Sequence, residues 1–504
     1  MQKNILEYLE NTVKNVPDKN AFVNNEEKLT FRQLFDSART IGTYLNRLNR
    51  QKEPIVVFMG KQPRTIAAFL GVLYAGCYYV PIDDEMPKQR IKLILSSLKA
   101  RSIICDNETR SIIESFDYDG EVHCYEDMTA TDINEDIIKA IRSRQLDIDS
   151  VYIVFTSGST GIPKGVVACH RSVIDYIDSL CEVMPFDGNT VFGNQAPLYV
   201  DGCLKDVFST LKTGATAYLI PKKLFMFPLK LVEYLNENQI NTICWVASAL
   251  TLISSLGVLE KEIPKYLNTV AFGSEVFPIK QLRLFKKSLP RVRYFNLYGP
   301  TEATGMSCYY EVKREFEPDE VIPIGKPFNN TEIILLNEDK KAPEQGETGE
   351  ICIRGTSLTL GYYRDFEKTG RAFIQNPLND LFPELIYCTG DIGKYNEYGE
   401  LVFVSRKDSQ IKHMGHRIEL NEIEIAANML ERIKSACCIF DNDDKKIILF
   451  YIGDISRNEI INSLKEKLPR YMLPNVIEKL DNMPFTLSGK INRIALKERI
   501  KNNG

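Results

Sequence analysis

Residues 152 to 167, Tyr-Ile-Val-Phe-Thr-Ser-Gly-Ser-Thr-Gly-Ile-Pro-Lys-Gly-Val-Val, hold the densest chemistry in the sequence. A β-branched and aromatic run from Val151 to Phe155 reads as a buried strand. It breaks into Thr156, Ser157, Gly158, Ser159, Thr160 and Gly161, with Lys164 close behind. Glycine lets a backbone curl so that several N–H groups face one anion, and hydroxyls and a lysine complete the donors that a polyphosphate needs. The Walker pattern G-x-x-x-x-G-K-[ST] is absent. Read alone, the stretch is equally a polar turn between strands.

A second cluster is Tyr294-Phe-Asn-Leu-Tyr-Gly-Pro-Thr-Glu302, a strand, a Gly-Pro turn and a Thr-Glu pair. A carboxylate beside a polyphosphate suits Mg²⁺, which takes one or two carboxylates along with phosphate oxygens. The bland reading of Glu302 is an acid at a helix start. Asp391, at the end of Tyr387-Cys-Thr-Gly-Asp391, has the chemistry to accept hydrogen bonds from both ribose hydroxyls, or it is a turn residue. Asp201 breaks a strand before an expected helix over Cys203 to Leu211, where it would serve as an N-cap. Lys205 lies one turn into that helix, and a buried ammonium without a partner is costly. It either meets an acidic substrate group, pairs with Glu275, or snorkels to solvent. Lys490 sits on a Ser-Gly turn, where a lysine is ordinarily solvated.

These residues need a frame. Short strands such as Ile55 to Met59, Cys77 to Ile82 and Ser102 to Cys105 alternate with helices over Thr65 to Ala75 and Ile91 to Leu98. That alternation implies a parallel sheet with helices on its faces. Thr30 reads as the N-cap of a helix to about Leu48. Residues 107–150 read as an acidic surface excursion. Thr242 to Ser248 and Thr269 to Glu275 are strands ending in small residues, and such ends face the ligand crevice of a parallel sheet. Gly346 to Glu350 and Gly361 to Arg364 mark hairpins, as does Gly399 in the turn after Tyr395. With 504 residues the chain exceeds one core. A net charge of −4 gives no basic excess for nucleic acid or an anionic membrane. No run reaches 18 apolar residues. Twelve scattered cysteines suit reduced thiols, and a cytoplasmic enzyme is expected. No Ser-His-Asp elbow is seen.

Taken together, the 152–167 loop, Tyr298-Gly-Pro-Thr-Glu302, Tyr387 to Asp391, Ser405-Arg-Lys-Asp-Ser-Gln-Ile-Lys-His-Met-Gly-His-Arg-Ile-Glu-Leu420 and Phe485 to Arg493 resemble, in order, the motifs of the adenylate-forming superfamily. The likeness is strongest to stand-alone peptide-synthetase adenylation domains and D-alanine–carrier protein ligases. It implies an α/β fold with a large N-terminal adenylate-forming domain over 1–406, of parallel sheets with helices plus a β-rich subdomain. A small, mobile α+β lid would follow over 407–504, hinged at Asp408. Ser405 stands before Arg406, where the superfamily commonly has glycine.

By the resemblance, the cofactors are ATP and Mg²⁺. The nucleotide would be bound by Thr156 to Gly161, Lys164, Asn296, Tyr298, Gly299, Thr301, Glu302, Asp391 and Arg406. Tyr298 would pack on adenine, Thr301 would touch phosphate and Glu302 would hold the metal. Lys490 would enter the site and act with Glu302, Thr156 and Lys164 in catalysis. Asp201 would bind an α-ammonium. Gly202, Lys205, Ser248, Val270, Phe272, Gly273, Leu297, Gly305 and Met306 would complete the substrate pocket. The implied reaction activates an amino acid as its adenylate and passes it to a phosphopantetheine thiol. No Gly-Gly-x-Ser attachment motif follows before Gly504, so a carrier protein acting in trans is expected, with no nucleic acid and no membrane as partner. Lys205 favours an acidic amino acid. D-Alanine, a non-amino acid destined for coenzyme A, and a catalytically silent binding protein are the other readings.

Overall fold

The computed structural model describes residues 2–503 apart from 117, 159–161, 319, 408–409 and 485–490. The chain forms two compact units. The first comprises Met1–Asp84, Ala100–Val154 and Gly165–Lys407, and the second Glu85–Lys99, Phe155–Lys164 and Asp408–Gly504.

The first unit is built on three sheets. In the nine-stranded one, Asn20–Val23, Thr216–Leu219, Val191–Asn194, Thr242–Val246, Thr269–Gly273 and Arg293–Tyr298 lie side by side in parallel. Antiparallel strands extend it at both ends. Runs such as Thr-Ile-Cys-Trp-Val and Thr-Val-Ala-Phe-Gly are nearly all buried, as strands covered on both faces must be. Cys244, Ala271, Phe295 and Leu297 join one core cluster, while Ile243, Trp245, Val270 and Phe272 join another. That split follows the two-residue period of a strand.

The second sheet has the order Glu121–Cys124, Ser102–Cys105, Pro54–Phe58, Tyr78–Pro81, Ser150–Thr156, Lys164–Cys169. Residues 107–150 are more than the excursion their acidity suggests. They carry the helices Arg110–Glu114, Tyr125–Thr129 and Glu135–Arg144, and the Glu121–Cys124 strand pairs in parallel with Ser102–Cys105. A few apolar residues, Ile113, Met128, Ile138 and Ile141, suffice to bury one side of that acidic stretch. The third sheet is antiparallel and centred on Leu385–Tyr395. Its Leu401–Arg406 hairpin turns at Gly399, where φ is +70°. The segment Gly361 to Arg364 forms no hairpin; Tyr362 makes an isolated bridge to Val166 instead.

Thr30 caps the helix Phe31–Asn46 through a reciprocal box with Gln33. In the second unit, Ile433–Asp441, Lys446–Gly453 and Val476–Lys479 form a three-stranded sheet packed by the helices Leu420–Asn428 and Arg457–Lys467.

His170 opens the helix that follows the Lys164–Cys169 strand. It is 1% exposed, and its Nδ1 accepts the Ile5 N–H at 3.2 Å, pinning the N-terminal segment there. Burial, reinforced by Arg142, pulls its pKa down to about 3. The folded value lies below the ordinary 6.5, so the stabilisation is complete above that pH and is lost as pH falls toward 3. Urea unfolding between pH 7 and 4 is expected to show a stability slope approaching about 1.4 kcal/mol per unit, which His170→Asn flattens.

Candidate functional site

Within the first unit, several expected residues gather at the ends of the parallel strands. The Arg293–Tyr298 strand runs into Gly299-Pro300 and a short 3₁₀ turn, Thr301–Ala303. Glu302 on that turn is fully buried, and Tyr362 donates its hydroxyl to Glu302 Oε1 at 2.7 Å. A buried carboxylate without donors is costly, so Tyr362 is part of what makes Glu302 tolerable there. The tyrosine is itself fixed by backbone bonds. Val167 N–H donates to the Gly361 carbonyl, Leu360 N–H to the Val167 carbonyl, and Tyr363 N–H to the Gly165 carbonyl. Thr359 N–H adds a bond to the Glu302 carbonyl.

Asp391 forms the second cluster. It is 2% exposed, accepts the Tyr298 hydroxyl at 2.6 Å, and pairs with the Arg406 guanidinium. Burial and this carboxylate push the Tyr298 phenol well above its ordinary pKa, so it stays a donor. Tyr298, Asp391 and Arg406 were each expected near nucleotide, and they form one hydrogen-bonded group. Asn296 instead donates to the Pro323 carbonyl at 2.8 Å and the Ile322 carbonyl at 3.4 Å, which gives its amide a bracing role. Gly299 packs against the backbone of Gly305, Met306 and Ser307, where a Cβ would come within 2.3 Å of the Gly305 oxygen.

The third cluster surrounds Asp201. It is not the N-cap of the following helix. It opens a 3₁₀ turn, Asp201–Cys203, and the helix Leu204–Thr213 starts without a side-chain cap. Its partly buried carboxylate is bonded by Thr301, and burial raises its pKa against the pull of that bond and of Lys205. Lys205 is buried and donates to the Gly202 carbonyl at 2.6 Å. Its ammonium acts on both Asp201 and Asp206, so the substrate is not its only available counter-charge. Glu275, the alternative partner, accepts the Ser248 N–H at 2.9 Å.

Behind Lys205 lies a group that the sequence reading missed. Asp206 is fully buried, accepts the Asn194 amide at 2.7 Å, and has its pKa raised by burial to about 6. Lys61 donates to the carbonyls of Asn194, Gln195 and Ile220 at 2.9, 3.0 and 3.2 Å. It thereby ties two strand ends together under the Gln195–Gly202 loop. A lysine three residues past a strand end at Phe58 was the only local signal. Among the pocket residues, Leu297 and Met306 share a core cluster with Leu204. Gly273 pairs with Leu297 across the sheet, whereas Val270 and Phe272 pack with Trp245 and Phe277 in the second cluster.

In the second unit, the Thr156 Oγ1 is buried with no hydrogen-bond partner among the described residues. Gly158 is buried where the chain turns so tightly that a Cβ would lie 1.9 Å from the Ile162 oxygen. Ser157 Oγ donates to the Arg417 carbonyl at 2.8 Å. An orphaned hydroxyl and a turn only glycine can make fit an anion-binding loop. Lys164 begins the next strand. Ser159, Thr160, Gly161, Asp408 and Lys490 lie outside the described residues. No group of three or more His, Cys, Asp or Glu side chains suited to a metal occurs among the described residues. No described helix is long and apolar enough to cross a membrane.

The Glu302–Tyr362 bond is open to a direct check. Tyr362→Phe is expected to cost about 1–3 kcal/mol, the penalty of a buried acceptor losing its donor, read as a lower urea midpoint at unchanged slope.

The protein-family model described as AMP-binding enzyme matches residues 9–363. Bacitracin synthase 1 of Bacillus licheniformis is 31% identical over 503 residues, covering 98% of this chain but only 9% of that protein. The D-alanine–D-alanyl carrier protein ligase of the same species is 31% identical over 529 residues, covering 98% of this chain and 99% of the ligase. The Vibrio cholerae adenylation domain AlmE, crystallised with glycyl-adenosine-5′-phosphate, has the same fold. Its TM-score is 0.85 at 20% identity over 100% of this chain and 98% of that one. The chain therefore belongs to the AMP-binding enzymes and is an adenylate-forming, AMP-forming ligase.

Proposed function

We propose that the protein activates an amino acid with ATP and transfers it to the phosphopantetheine thiol of a separate carrier protein. The observation that carries the amino-acid reading is Asp201, a partly buried carboxylate whose pKa burial holds up despite Thr301 and Lys205. Such a group gains from a further cation, and an α-ammonium is one. The carrier reading draws on the ligase relative, whose name states transfer to a carrier protein and whose length this chain matches.

ATP is a substrate here. A carboxylate oxygen of the amino acid attacks the α-phosphorus, the bond to the β-phosphate oxygen breaks, and pyrophosphate leaves. No protein nucleophile is needed, so the protein positions the reactants and neutralises charge. Thr156, Ser157, Gly158, Ser159, Thr160, Gly161 and Lys164 receive the polyphosphate, with Thr301 beside it. Asp391 holds the ribose, Arg406 and Tyr298 fix Asp391, and Tyr298 lends its ring to adenine. Mg²⁺, when bound, offsets the phosphate charge, and Glu302 is the carboxylate that would hold it. Tyr362 on Oε1 orients that carboxylate. Lys490 supplies a point charge to the reacting carboxylate and α-phosphate. Residues 407–504 act as a lid turning at Asp408 between the two half-reactions, in the cytoplasm.

Gly202, Ser248, Gly273, Leu297, Gly305 and Met306, with Val270 and Phe272 behind them, shape the side-chain pocket. A neutral amino acid is favoured, because Lys205 already acts on Asp201 and Asp206. An acidic one is the second reading, since Lys205 follows Asp201 by one turn of chain.

The test is ATP–pyrophosphate exchange against the proteinogenic amino acids, D-alanine and simple carboxylic acids. Exchange is expected with an amino acid. Asp201→Asn should lower kcat/KM at least about thirtyfold, the loss of one buried charge pairing. Exchange only with simple carboxylic acids, indifferent to Asp201→Asn, would sink the amino-acid reading. A response to aspartate or glutamate that falls in Lys205→Met would select the acidic one.

A further inference from the structure

The second unit contains a buried ion pair that the chemistry above does not use. Arg90, on the helix Lys88–Leu98, pairs with Glu422, on the helix Leu420–Asn428. Their side chains are 4% and 2% exposed. Glu422 turns its other oxygen, Oε2, to the backbone N–H of Gly158 at 3.3 Å. One carboxylate thus bridges a guanidinium and an amide of the Thr156–Lys164 loop. Ser157 spends its hydroxyl on the Arg417 carbonyl nearby in the same unit.

Packing alone does not call for this arrangement. Taking two charges out of water is expensive, and apolar residues of similar volume commonly stabilise a fold as well or better. The geometry has a meaning if the loop binds polyphosphate, the reading on which this inference rests. A guanidinium and a backbone N–H converging on two oxygens of one anion are what holds a phosphate. In this structure the anion is a side chain of the protein itself.

We propose that Arg90 and the Gly158 N–H form a seat for the leaving pyrophosphate, and that Glu422 is the internal anion that fills the seat when polyphosphate is gone. The Gly158 N–H is a single donor, so Glu422 and pyrophosphate exclude each other there. Seating of Glu422 then ties the 415–428 segment to the loop only in its polyphosphate-free state. Arg90 keeps a partner throughout, because one anion replaces the other.

The experiment is titration calorimetry with inorganic pyrophosphate in the presence of Mg²⁺, using AMP as the control ligand. Glu422→Gln keeps the size and an accepting oxygen but removes the competing charge. It is expected to tighten pyrophosphate binding about tenfold and leave AMP binding unchanged. Arg90→Met should weaken pyrophosphate about tenfold, again sparing AMP. Melting temperatures report whether each variant is folded. A measurement on the unaltered protein needs no variant: saturating pyrophosphate, but not AMP, should speed amide hydrogen exchange across residues 415–428. Unchanged pyrophosphate affinity in both folded variants, or exchange indifferent to pyrophosphate, overturns the proposal while catalytic ATP–pyrophosphate exchange by the wild type keeps the loop reading intact. If the wild type binds no pyrophosphate and catalyses no exchange, the loop reading itself fails, and the proposal with it.

Discussion

A carboxylate withdrawn from water must be met by donors or cations, and the first unit is arranged around three that are. Glu302 is met by Tyr362, Asp391 by Tyr298 and Arg406, and Asp206 by Asn194 with Lys205 and Lys61 acting on it. Tyr362, Tyr298 and Lys61 come from stretches of chain distant from the carboxylates they act on. The acids therefore specify the relative positions of distant segments, because leaving any one of them unmet costs more than a typical surface interaction returns.

The parallel sheet makes this economical. Strands ending at Asn194, Val246, Gly273 and Tyr298 deliver their following loops to one edge, and such edges are where ligands sit in open α/β sheets. Lys61 shows how the edge is kept rigid. Its ammonium binds carbonyls at two strand ends, so the loop bearing Asp201 departs from a fixed point. The Tyr362 segment is likewise held, bonded by backbone to the Lys164–Cys169 strand.

Much of this was legible in the sequence, and the limit is physical. Strand and helix alternation, the Thr30 cap and the Gly399 turn are local properties, and local chemistry decides them. The segments around Glu302 and Asp391 stood out in the sequence because their residue types suit a nucleotide, and the structure buries both carboxylates. Their partners did not stand out. Tyr362 looked like hairpin punctuation, and Lys61 and Asp206 looked like nothing in particular, because a tertiary hydrogen bond leaves no periodicity behind. Asp201 shows the converse error. A helix cap is the local expectation for an acid at that position, and it lost to Thr301, one hundred residues away in sequence.

Lys205 and Glu422 teach the same point about charge from opposite directions. From sequence, a buried ammonium implied an absent acid, hence an acidic substrate. The fold supplies acids of its own, Asp201 and Asp206, and the inference about substrate weakens accordingly. Glu422 drew no notice as one acid among several in a helix, yet it lies on an amide that anion chemistry would claim. A charged side chain in the interior is thus evidence about a ligand only after the protein's own counter-charges are counted. When they balance, the informative case is the one where the protein's charge stands in the ligand's place, because the fold must then give up one to accept the other.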